Sequence, residues 1–95
     1  MNVKIIRMNT GEEVILTIVE EKESSIVVEN TLASGLNPSG NIGFTPWAPL
    51  VKNGETIEID LKWVVYIGDP QDEVREQYQK IFSTIDTPPV KKLIL

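Results

Sequence analysis

The side chains that most often do chemistry in proteins are missing from this chain: it has no histidine and no cysteine. That removes the usual general bases, thiol nucleophiles, zinc ligands and disulfides. No Walker or Rossmann glycine pattern occurs either. What remains is carboxylate. Glu12, Glu13, Glu20, Glu21 and Glu23, or the pair Glu58 and Asp60, could in principle hold Mg²⁺ or Ca²⁺. Their spacing matches no calcium loop, and they fall where solvent-facing strand positions and turns are charged, so a solvated face is the expectation. No enzyme, no metal and no cofactor are therefore expected. Two aromatics in GFTPW, Phe44 and Trp47, are the remaining groups with recognition chemistry. Such rings either stack a base, anchor a protein partner or pack into a core.

The elements that must position these groups are short strands. Val3 to Met8, Glu13 to Glu20 and Ser25 to Asn30 are runs dominated by β-branched residues, and Asn9-Thr10-Gly11 makes a turn between the first two. Ile5, Val14, Leu16, Ile18, Ile26 and Val28 form a period-two apolar set, the opening of a small, strongly bent barrel. In the second run Ile15 and Val19 alternate with that set, which predicts a strand covered on both faces, in a central or an interface position.

Thr31 to Gly43, with three glycines and Pro38, reads as a long mobile loop, and the prolines of GFTPWAPLV confine that segment to an edge. Asn53-Gly54 is a hairpin signal. It precedes TIEIDL, in which Ile57, Ile59 and Leu61 face inward while Thr56, Glu58 and Asp60 face water. KWVVYIG then reads as the last barrel strand, with Trp63, Val65 and Ile67 on one face and Val64 and Tyr66 on the other.

Asp69 suits a helix N-cap and Pro70 the first helical position. Val74, Tyr78, Ile81, Phe82 and Ile85 then make one apolar stripe, which must lie on the barrel or on a neighbouring subunit. Pro88-Pro89 stops the helix, and VKKLIL follows. The organisation expected is one unit over 1–86 and a tail over 87–95.

Ninety-five residues bury a thin core unless something covers the edges. With 41% hydrophobic and 24% charged residues the composition is globular. No apolar run approaches the roughly 20 residues that span a bilayer, and the start of the chain lacks a secretory h-region, so no membrane is expected. Nine Lys plus Arg against fourteen Asp plus Glu give a net charge of −5, which repels phosphate on average. Any nucleic-acid role must then rest on a local site.

The pieces VKIIRMNTGEEVILTIVEE, SIVVEN and VVYIGD together resemble the Sm/Lsm-like fold. More narrowly, GEEVI, GFTPW and the ending P-x-x-E-V-x-x-x-Y-x-x-x-F-S look like small Sm-like proteins of tailed phages of marine cyanobacteria. The resemblance implies a mainly β protein: a five-stranded, strongly bent SH3-like barrel with a C-terminal α-helix. It implies a homo-oligomeric ring of about five to seven subunits, closed by strand addition. Trp63, Val64, Val65, Tyr66 and Ile67 would supply the subunit interface, and their two-sided apolar pattern independently marks an edge that needs covering.

The resemblance further implies single-stranded RNA as ligand, in a post-transcriptional role in the cytoplasm of a bacterial host cell. The first nucleotide-binding motif is replaced here by EEKESS, and of the second, Ile-Arg-Gly, only Gly68 is kept. The pocket expected is thus degenerate, formed by Lys22, Ser24, Ser25 and Gly68, with Asp69 beside them. The alternative is an acidic ring, without RNA affinity, that holds a phage or host protein through Phe44 and Trp47 or through the KKLIL tail.

Overall fold

In the computed structural model, residues 1–36, 38–52 and 54–83 are described. Among these, six strands make one antiparallel sheet: β1 Val3–Met8, β2 Glu13–Glu21, β3 Ser25–Leu36, β4 Ile42–Pro46, β5 Ile57–Asp60 and β6 Val64–Gly68. A 3-10 turn, Leu61–Trp63, joins β5 to β6, and the helix α1 spans Asp72–Ser83. No helix among the described residues is long and apolar enough to cross a membrane.

The order along the sheet is β4-β3-β2-β1-β6, and β5 pairs with β3 beside that path. β3 serves two partners in succession. Ser25 to Val28 pair with β5, whereas Leu32 to Leu36 pair with β4. Between the two segments Asn30 takes φ 55°, the one left-handed non-glycine among the described residues, and the strand changes direction there. Register shifts between Ile15 and Thr17, and between Ile18 and Glu20, bend β2 to match. The 3-10 turn closes the curve: Leu61 N donates to the Ser24 carbonyl at 3.0 Å, and Asn9 N to the Trp63 carbonyl at 2.8 Å. The result is barrel-like.

Both faces of β2 are buried within its own chain from Val14 to Ile18, whereas Val19, expected to be covered, is exposed along with Glu20 and Glu21. Val14, Leu16 and Ile18 join Ile6, Ile26, Val28 and Ile59 in one cluster, flanked by Ile57, Leu61 and Val64. Ile15 points the other way, to Val3 and Tyr78, where Ile5, Val74 and Phe82 of the same chain pack against it. Val74, Tyr78 and Phe82 of the helix stripe therefore lie on their own sheet, while Ile81, expected in the same stripe, is exposed. β1 alternates in the same manner, so Ile6 occupies the first cluster and Ile5 sits on the helix side, contrary to the expected set.

Several other expectations give way to long-range pairing. The sheet has six strands rather than five, because the expected loop Thr31 to Gly43 continues β3 to Leu36 and begins β4 at Ile42, with Gly35 opposite Gly43. β4 and β5 do not form a hairpin with each other, since both use β3; Asn53 itself lies outside the described residues. Lys62 and Trp63 leave the strand because the Asp60 carboxylate accepts from Lys62 N at 3.0 Å and holds the 3-10 turn. The helix starts at Asp72, not at Pro70. Asp69 is drawn instead to Lys4, whose Nζ donates to Oδ1 at 2.5 Å and holds that carboxyl below the usual range. Ile85, Pro88-Pro89 and the tail lie outside the described residues.

Candidate functional site

The turn between β2 and β3 and the 3-10 turn meet at one end of the barrel, where Lys22, Ser25, Glu58, Asp60 and Lys62 come together. Lys22 N donates to the Ser25 carbonyl at 2.9 Å, which closes the first turn, and the bond from Leu61 N to Ser24 docks the second against it. Ser25 stands opposite Asp60 in the β3–β5 ladder, so Glu58 is its diagonal neighbour. The buried Ser25 hydroxyl donates to Glu58 Oε2 at 2.7 Å, and Lys22 Nζ lies 3.5 Å from Glu58 Oε1. That hydrogen bond from Ser25, and then the Lys22 charge, hold the Glu58 carboxyl below its ordinary range, so it is ionised at neutral pH.

On the other side of the turn Lys62 Nζ sits 5.1 Å from the centre of the Trp63 ring, within cation–π range, while its ammonium is 3.9 Å from Asp60 Oδ2. Trp63 is 48% exposed. The site thus offers an indole plane and two ammonium groups, with two carboxylates interleaved. It can stack a ring and accept hydrogen bonds. Lys22 and Lys62 balance Glu58 and Asp60, and Glu23 in the same turn leaves the site negative by one charge.

Of the residues expected to bind, Lys22, Ser24 and Ser25 come together, whereas Gly68 does not join them. It ends β6 opposite Ile5, five residues beyond Trp63, and strand rise puts it roughly 16 Å from the turn. There, with Asp69, it lines a separate cleft of about 390 Å³ that includes Glu13, Ser34 and Tyr66. The run that faces Ser24 is Leu61–Trp63. Sequence reasoning missed Lys62 and Glu58 as members of this cluster. The available signal was Asp60 two residues before Lys62, a capping side chain that converts the start of an apparent strand into a turn.

β6 pairs with β1, and β5 with β3; among the described residues each has its other edge unpaired. Along β6, Val65 is 62% exposed and Tyr66 and Ile67 are 43% exposed, although they alternate between faces, while Val64 packs on the first cluster. Tyr66 is held by its hydroxyl, which donates to the Glu13 carboxylate, and Arg7 lies 3.4 Å from the same group. The bond to Glu13 pushes the Tyr66 hydroxyl pKa up.

Phe44 and Trp47 are half-buried: Phe44 packs on the Tyr78 cluster and Trp47 on the Ile6 cluster. The exposed apolar residues that follow are Leu50, at 99%, and Val51. No group of three acidic side chains suited to a metal ion occurs among the described residues. No protein-family model matches the chain, and no curated protein matches it.

Proposed function

We propose that this protein is an Sm-like, ring-forming, SH3-like barrel that binds single-stranded RNA through a degenerate pocket, in a post-transcriptional role in a phage-infected bacterial cell. The observation that carries the reading is β6, an edge strand with apolar side chains exposed on both faces. Such an edge pairs with another chain unless it is protected. β5 offers the matching free edge on a second copy, and head-to-tail addition of this kind closes into a ring when the rotation per subunit allows. The pocket falls at the two facing turns, where Trp63 supplies a stacking plane and Lys22 and Lys62 supply phosphate contacts.

Glu58 favours a second reading, an acidic ring that holds a phage or host protein. It already engages both the Ser25 hydroxyl and the Lys22 ammonium, and the chain carries −5 overall. Labelled A-rich and U-rich oligonucleotides distinguish the two. Under the RNA reading they bind at low salt with a negative log–log salt slope, and Trp63→Ala weakens binding about tenfold, the scale of one stacked base. No binding at low salt leaves the protein-holding ring.

A further inference from the structure

The cleft of about 390 Å³ beside the start of α1 is separate from the facing turns, and strand register assigns its walls. Tyr66 stands opposite Arg7, and Arg7 opposite Glu13, so the Tyr66 hydroxyl reaches over β1 to donate to the Glu13 carboxylate on β2. The phenol is thereby tied at both ends and its ring is held along the sheet. Ile5 and Val74 add apolar surface between that ring and the helix, while Gly68, opposite Ile5, adds no side chain.

Unspent acceptors distinguish this cleft. Tyr66 and Arg7 both address Glu13 Oε2, and Lys4 and Arg75 both address Asp69 Oδ1, at 2.5 and 4.0 Å. Glu13 Oε1, Asp69 Oδ2 and the Gln71 side-chain amide have no hydrogen-bond partner among the described residues. Each carboxylate accepts up to about four bonds, so hydrogen-bonding capacity remains although bases already meet both charges. A cationic ligand would face Lys4, Arg7 and Arg75 at close range, and such like-charge contacts are costly. Neutral N–H donors meet only acceptors. The volume lies near the lower end of the range for ligand pockets, roughly 300 to 1,000 Å³, which suits a single flat heterocycle.

We propose that this cleft binds a guanine base, stacked on Tyr66, with its N1–H and N2–H groups directed to the open oxygens of Glu13 and Asp69 and its O6 accepting from the Gln71 amide. Guanine carries two adjacent N–H donor groups on its Watson–Crick edge, whereas adenine, cytosine and uracil carry one each; single-stranded bases are read by stacking on aromatics and bonding along that edge. Free guanosine and guanine within a strand present the same chemistry. The proposal depends on neither the ring nor the pocket at the facing turns.

Guanosine titrated into the full chain should shift the amide resonances of Gly68, Gln71 and Val74 to saturation, with an affinity at least about fivefold above that for adenosine, cytidine or uridine, the scale of one hydrogen bond. Tyr66→Ala should weaken guanosine about tenfold. Gly68→Leu should abolish binding, because a Cβ at Gly68 meets nothing within 4 Å and the side chain can occupy the cleft; an unchanged circular dichroism spectrum shows the fold intact. Shifts that are absent, that persist in Gly68→Leu, that adenosine matches, or that fall instead around Ser24 and Lys62 would overturn the proposal. A uridine oligomer with one guanine separates the sources: tighter binding than guanosine at the same amides assigns a strand as ligand, equal or weaker binding the free nucleoside, and either supports the site.

Discussion

The Tyr78 hydroxyl donates to the Asn30 carbonyl at 2.8 Å, at the point where β3 turns in left-handed conformation. Its oxygen in turn lies 2.9 Å from Thr17 Oγ1, so one buried phenol ties the middle of α1 to the bend of β3 and to β2. The Tyr78 ring packs on Phe82 with centroids 4.9 Å apart. The helix is thereby fixed to its own sheet by polar as well as apolar contacts.

Tyr78→Phe keeps the ring but leaves the buried Thr17 hydroxyl and Asn30 carbonyl without this partner. A loss of about 1 to 3 kcal/mol follows from stranding such groups. Urea unfolding of the two proteins, with equal slopes and a lower midpoint for the variant, checks it.

Burial pushes the Tyr78 hydroxyl pKa up to about 12, whereas an unfolded tyrosine ionises near 10. Stability from this difference is full below about pH 10 and is lost as pH rises toward about 12, because the unfolded state sheds its proton first. Tyr66, raised by its bond to Glu13, acts in the same direction. Thermal midpoints of the wild type should fall across that window, and Tyr78→Phe should flatten part of the decline.

Asn30 tests the bend itself. Its φ of 55° suits glycine; a Cβ crowds the carbonyl there, which asparagine offsets by local hydrogen bonding of its side chain and alanine cannot. Asn30→Ala should be about 1 to 2 kcal/mol less stable than Asn30→Gly in denaturant titrations.

Val65 tests assembly. It is 62% exposed, so Val65→Lys should leave the circular dichroism spectrum unchanged while placing a charge on the β6 edge. Light scattering should then report a monomer for the variant and a multimer for the wild type. A monomeric wild type at micromolar concentration removes the ring.

Glu58→Gln tests the pocket. The amide oxygen still accepts from Ser25, but Lys22 loses its counter-charge. With RNA as ligand, affinity at low salt should rise and the salt slope should steepen by up to about one phosphate contact. An unchanged titration would place the contact elsewhere.

What the residues determined alone was local. The β-branched runs set where β1, β2 and β3 begin, alternation in TIEIDL set which side of β5 is inside, and the spacing of Val74, Tyr78 and Phe82 set the buried face of α1. Each follows from a period of two or 3.6 that any window of the chain displays. Tertiary structure decided the rest. β3 runs on through a loop-like composition because β4 pairs with it, and it is the pairing with β2 that decides which of Ile5 and Ile6 faces the first cluster and which the helix. The Gly68 position and the β2–β3 turn separate, while Ser25 meets Glu58 across 33 residues, because closing the barrel brings β5 alongside β3. Pairings between distant segments leave no periodic trace in either segment, so only the folded chain reveals them.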